Sequence, residues 1–338
     1  MNRLAVVVSS LVLLGACGTS EGPGGSKGSV GRTFAGLLRT VPDNAGTRTN
    51  AIFYANLDRL RDGEAPSSSD DDILLISERS SFAVFLPDPL RGGATRPGFA
   101  EYAGFDTRQV DAVLQYGAFP NLVGVFVGSM SAGKIGSGLA ASPGGEELTK
   151  ESADGVTYFS LGDDDTTDIS AVSPIRPIGQ PVRLALAGDT LFWARTQASA
   201  DAGVAASAGT EPSLADDANY LAVANALDTA TVINGIIVSP RAGEGWTVAG
   251  LGEAFAADSS TITVALQYAS PALAAAAVAA FRDQVRNGAS SVTQEPWSSV
   301  LTITEVSADG SLMMATLTST NPGFAAVVLL REDNLLQF

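Results

Sequence analysis

One cysteine, Cys17, stands in a chain of 338 residues, so no intramolecular disulfide can form and a hydrophobic core has to hold the fold. The length allows it, because about three hundred residues bury a sizeable core in one large domain or two of ordinary size. The residues leading to the cysteine have their own pattern. Met1-Asn2-Arg3 is a short, positively charged start, and Leu4 to Leu14 is apolar except for Ser9 and Ser10. That run has the length of a secretory h-region and is shorter than the ~20 residues a membrane-spanning helix requires. Gly15 and Ala16 follow, small enough for the backbone to lie extended in a peptidase cleft.

The segment Leu14-Gly15-Ala16-Cys17 resembles the lipobox of bacterial lipoproteins. The resemblance implies that a diacylglycerol is joined to Cys17 through a thioether. It also implies cleavage before Cys17 by a signal peptidase that recognises Leu14, Gly15 and Ala16. The expected organisation is then a signal peptide at 1–16 and a lipid-anchored tether at 17–31. The body would sit on the extracytoplasmic face of the cell membrane. Lipidation would remove an exposed thiol that is otherwise open to oxidation, and two acyl chains suffice for stable attachment. Gly18 to Gly31 reads GTSEGPGGSKGSVG, a composition that cannot build a core and serves as a flexible spacer.

Charge narrows the partners. Lys and Arg number 20 against 36 Asp and Glu; without Arg3 the balance is 19 − 36 = −17. A surface this acidic is repelled by nucleic acid and by anionic lipid, so nucleic-acid binding is excluded and membrane attachment falls to the acyl chains. The only lysines are Lys27, Lys134 and Lys150, a bias that points to a GC-rich genome such as an actinobacterium's. Beyond the signal, the longest apolar run, Pro271 to Phe281, is too short to span a bilayer.

Hydrophobic periodicity gives the elements. Strands are predicted near 49–56, 122–127, 156–161, 232–238, 246–255 and 261–268, with hairpins over Ala187-Gly188-Asp189 and Ala308-Asp309-Gly310. Helices are predicted over 105–116 behind an Asp106 cap, to about Leu139, over 197–208, from Ser213 to about Leu227, over 271–287, and from Asn321 through Leu330. Each half runs strand, helix, strand, hairpin, helix. The fold class expected is α+β: two similar lobes, 32–210 and 211–338, each an antiparallel sheet with helices packed on one face. The stretches LALAGDTLFWARTQASADAGVAASAGTEPSLADDANY and TITVALQYASPALAAAAVAAFRDQV make the body similar to an uncharacterised family of exported actinobacterial proteins. That likeness carries no catalytic residues.

The chain contains no histidine. A Ser-His-Asp triad, a histidine metal site and the commonest general base are therefore excluded. Gly24-Gly25-Ser26-Lys27-Gly28 matches a nucleophile-elbow pattern but lies in the tether, without the strand and helix that chemistry needs. Gly128 to Lys134 approaches a phosphate loop, yet Ile135 stands where the magnesium-binding hydroxyl belongs, so no nucleotide is expected. Ser131-Ala132-Gly133-Lys134 overlaps it as S-x-x-K, in which Lys134 could serve Ser131 as base. This is similar to the pattern of penicillin-binding proteins and β-lactamases, but their S-D-N-like and K-T-G-like partners are missing. Asp163, Asp165 and Asp168 form an acidic loop that could hold calcium, although Asp168 replaces the glycine an EF-hand-like loop requires. Trp193, Trp246 and Trp297 are read as core. The resulting expectation is a non-enzymatic protein that needs no cofactor and binds a protein, glycan or lipid partner at the envelope, through a pocket at the lobe interface. The alternative is a Ser-Lys hydrolase acting on cell-wall or ester substrates.

Overall fold

A computed structural model describes residues 31–62, 85–93, 96–164, 166–240, 243–255, 259–291, 294–319 and 333–336. The strands are β1 (Ile52–Asn56), β2 (Val110–Tyr116), β3 (Val123–Gly128), β4 (Thr149–Ala153), β5 (Val156–Leu161), β6 (Val182–Ala187) and β7 (Thr190–Ala194) in the first half. The second half supplies β8 (Asn234–Val238), β9 (Trp246–Phe255), β10 (Ser260–Tyr268), β11 (Thr302–Asp309) and β12 (Leu312–Ser319). They form one antiparallel 12-stranded sheet in the order β11-β12-β10-β9-β8-β1-β2-β3-β7-β6-β5-β4. The two halves of the chain thus occupy the two halves of a single sheet, and the β1–β8 pairing, with Tyr54 opposite Gly235, is the seam.

Within each half the strand order repeats: β1-β2-β3-β7-β6 matches β8-β9-β10-β12-β11, and the β4–β5 hairpin extends the first set at its outer edge. A helix enters each set at the same place, between its third strand and its final hairpin. These are α6 (Ala132–Ala141) and α9 (Pro271–Asn287). The other helices are α1 (Phe34–Leu38), α2 (Ala45–Arg48), α3 (Leu57–Asp62), α4 (Asp88–Gly93), α5 (Phe99–Ala103), α7 (Gln197–Ser207), α8 (Ala218–Thr229) and α10 (Trp297–Val300).

Side chains alternate across the sheet, as the pleat requires, and both faces are buried. On one face Val113, Phe126, Trp193, Leu251 and Val264 pack with Ile135 and Leu139 of α6 and with Ala277 and Phe281 of α9. On the other, Tyr54, Leu114, Val125, Phe192 and Ala265 pack with Phe34 and Leu37 of α1 and with Tyr220, Val223 and Leu227 of α8. The expectation of helices on one face is thereby corrected: a sheet apolar on both sides needs cover on both, and helices supply it.

Two elements also differ from the sequence reading. The Asp106 cap is real, with Asp106 and Gln109 forming a reciprocal box, but it opens only a single 3-10 turn over Thr107–Gln109. The chain then continues as β2, not as a helix, because Val110, Val113 and Leu114 belong to a strand buried on both faces between β1 and β3. β4, exposed at every residue, is not expected from the sequence because TKESA has no apolar alternation. The expected helix from Asn321 and the polar loop at 64–72 lie outside the described residues.

Candidate functional site

α5 and α6 meet backbone to backbone. Gly104, at φ 73°, closes α5 where a Cβ would lie 2.3 Å from the Lys134 carbonyl oxygen. Gly138 in α6 faces the Glu101 carbonyl, which a Cβ would approach to 2.5 Å. Beside this contact opens a cleft of about 520 Å³, lined among others by Glu101, Phe105, Asp106, Lys134 and Ser137. Phe105 belongs to an aromatic cluster beneath it. The Phe105 ring meets Trp193 edge-on at 6.3 Å, and Phe99 stacks on the same indole at 6.3 Å. Trp193 is thus a packing residue, as read from the sequence; Trp246 and Trp297 are buried as well.

This is where the S-x-x-K pattern falls. Ser131 is the residue before α6 and makes no side-chain cap bond; Lys134 lines the cleft, and both are exposed. No hydrogen bond joins the Ser131 hydroxyl to the Lys134 amine among the described residues. The S-x-x-K pattern thus sits beside the cleft with both side chains open to solvent. Two of the polar residues that line the cleft, Asp106 and Gln109, are engaged by their neighbours. Asp106 accepts from the Arg108 backbone N–H at 2.8 Å, and the Gln109 amide donates to the Ser129 carbonyl at 2.9 Å.

In the acidic loop the described contacts are local. Asp168 accepts from the Ser170 N–H at 2.9 Å and from its hydroxyl at 2.6 Å, which holds its carboxyl below the usual range. Asp163 is exposed, Asp165 lies outside the described residues, and no carboxylate cluster fit for a metal occurs among those described. Leu14, Gly15, Ala16 and Cys17 lie outside them too. The chain from Arg32 onward is firmly held. Arg32 pairs with Asp58 and Asp111, each at 2.7 Å, and the Tyr54 hydroxyl donates to its carbonyl at 2.9 Å. Burial pushes that phenol up to about 12. Asp228, from α8, accepts the Phe34 and Ala35 N–H groups at 2.8 and 2.9 Å. It caps α1 across the two halves.

What sequence reading missed is an apolar rim. Phe119 is 72% exposed in the β2–β3 turn, and Ile169 83%, Ile178 54% and Val172 45% are exposed in the β5–β6 loop. Both loops lie at the same end of five consecutive strands, β2-β3-β7-β6-β5, since Tyr116 pairs with Val123, Gly124 with Trp193, Arg183 with Ala194 and Leu161 with Val182. The segment after β7 touches both. The Arg195 guanidinium lies 5.1 Å from the Phe119 ring centroid, and the Gln197 N–H donates to Asp164 at 2.9 Å. Beneath the loop the buried Arg176 donates to the carbonyls of Gln180 and Gly179, at 2.8 and 3.1 Å. Burial lowers its pKa. The readable signal was a set of lone large apolar residues in turns, which periodicity cannot score.

No family model matches the chain, and no curated protein matches it. Among solved structures it is similar to three crystal forms of TP0453. Form III is 10% identical with a TM-score of 0.43, covering 86% of this chain and 96% of that one. Form I is 9% identical at 0.40, covering 88% and 97%, and form IV is 8% identical at 0.38, covering 87% and 99%.

Proposed function

We propose that the chain is a lipid-anchored extracytoplasmic lipoprotein, held by acyl chains on Cys17, whose body binds a partner at the envelope and does not turn over a substrate. The observation that carries the reading is the run Leu14 to Cys17, the chain's only cysteine, followed at once by a Gly/Ser spacer. It is supported by the tight hold on Arg32 and Phe34, which gives the spacer a fixed point to pull against. Ser131 and Lys134, on which the hydrolase alternative depends, are both exposed and share no hydrogen bond, which favours the binding reading. Cell fractionation tests the anchor: Cys17→Ala is expected to lose acyl labelling and leave the membrane, and unchanged retention contradicts it. A fluorophosphonate probe tests the rest. No labelling is expected, and labelling that disappears in Ser131→Ala moves the reading to the hydrolase.

The two halves are, on this reading, repeats of one β-β-β-α-β-β unit, the lobes expected from the sequence. The shared strand order supports it. Native-state hydrogen exchange is expected to reveal two cooperative units meeting at the β1–β8 seam; one unit opening across the seam contradicts it.

A further inference from the structure

From the exposed rim formed by Phe119, Ile169, Val172 and Ile178 we infer a second membrane contact, in which these loops dip into the interface of the bilayer that holds the lipid on Cys17. It rests on the anchor reading above. Four large apolar side chains in two loops, all 45% or more exposed, are more than the scatter of single surface hydrophobics needs. They stand out from loops, Phe119 and Ile169 at 72% and 83% exposure, and none of them lines the cleft beside α6. Exposed apolar tips suit a deformable lipid interface, whereas a protein partner would have to supply a matching hollow.

The reach of the tether fits. Arg32 pairs with Asp111 near the start of β2, and Phe119 follows the end of the same strand. Seven residues of strand at ~3.4 Å each separate the two ends by about 24 Å. A chain of the length from Gly18 to Gly31 reaches at most ~50 Å. The rim therefore lies within the spacer's reach of the membrane. That orientation also moves Asp154 and Asp189, in the turns at the opposite end of the sheet, away from the lipid. Asp163 and Asp168 flank the rim, so zwitterionic headgroups fit it better than anionic ones.

The test uses the full lipidated chain in phosphatidylcholine vesicles, with an environment-sensitive fluorophore on a new cysteine at Phe119→Cys or Ile169→Cys, and at Asp154→Cys as the control. Quenching by a lipid-borne nitroxide is expected at 119 and 169 and not at 154. Adding Phe119→Ser and Ile178→Ser to the 169 label is expected to weaken its quenching at least about tenfold, the factor for losing ~1.4 kcal/mol of apolar transfer. Adding phosphatidylglycerol is expected to weaken it as well. Loop labels that stay as open to aqueous quencher as the control, on a chain that floats with vesicles, overturn the contact and leave the anchor standing. Protection that arises only when envelope proteins are added overturns it in favour of a protein partner. A chain that does not float with vesicles at all overturns the anchor and this inference with it.

Discussion

Three glycines in α6 make the packing account testable by one substitution in three places. An alanine methyl at Gly138 would stand 2.5 Å from the Glu101 carbonyl oxygen and 2.8 Å from the Gly104 nitrogen and the Tyr102 oxygen. All three are backbone atoms. Ordinary contact begins at 3.4 Å, so α5 or α6 must withdraw by 3.4 − 2.5 = 0.9 Å. Over-packing of that kind costs about 1–3 kcal/mol, and rigid backbone puts this case near the top. Replacing a helical glycine by alanine returns up to ~1 kcal/mol. Gly138→Ala is therefore expected to lose about 1–2 kcal/mol. At Gly133 the nearest atom to a new methyl is the Ser131 hydroxyl oxygen at 3.8 Å, so only the propensity gain remains and the variant is stabilised by up to ~1 kcal/mol. Gly136 faces a movable Phe159 ring at 3.1 Å and falls between. Urea denaturation followed by circular dichroism reads the three as midpoint shifts at constant slope. Equal stabilisation by alanine at 133 and 138 would refute the close α5–α6 contact, and with it the wall of the cleft.

Other outcomes follow from the same structure. Phe281→Ala removes a fully buried ring between α9 and the sheet and is expected to cost about 3–5 kcal/mol in urea denaturation; a loss under ~1 kcal/mol would mean that α9 does not cover that face. The two ends of α8 respond oppositely to pH. Burial raises Asp217, but hydrogen bonds from Arg48 and the backbone outweigh it and hold it low, so its stabilisation is present above the unfolded value of about 3.9 and lost in acid. Burial keeps Asp228 high despite the Ala35 and Phe34 N–H groups, so its contribution falls as pH rises from that value through the raised one. Asp217→Asn is therefore expected to be more damaging at neutral pH than in acid. Asp228→Asn is expected to remove part of the fall above about pH 4; parallel pH–stability curves for both variants and the parent would contradict the assignments.

Legibility depended on whether local chemistry and tertiary context agreed. The bounds of α9 were readable because Ser270 accepts from the Leu273 N–H and Pro271 takes the first turn; of the expected face, Ala277, Phe281 and Val285 are buried, whereas Leu273, in the first turn, is 49% exposed. The β6–β7 hairpin was readable because its turn needs Gly188 at φ 62°. β2 was not. Its residues are buried in nearly every position, and a strand covered on both sides can mimic helical spacing. β4 pairs only with β5, at the sheet edge, where polar, charged residues guard against unwanted pairing and erase the apolar signal. The single sheet was hidden for another reason. The β1–β8 pairing joins residues some 180 positions apart, and nothing local to Tyr54 or Gly235 announces it. Of the candidate sites, the sequence could name Ser131 and Lys134 but not whether their side chains meet, since helical spacing brings two residues to one face without fixing where a flexible lysine points. The rim of Phe119, Ile169, Val172 and Ile178 escaped because the same apolar residues, in another fold, would have been core.

The account turns on the chemistry of Cys17, and the intact mass of the purified mature chain measures it directly. The predicted result is a chain that lacks residues 1–16 and begins with a cysteine carrying the added mass of a thioether-linked diacylglycerol. A chain that keeps those residues, or one that begins at or after position 17 with no lipid, would contradict it.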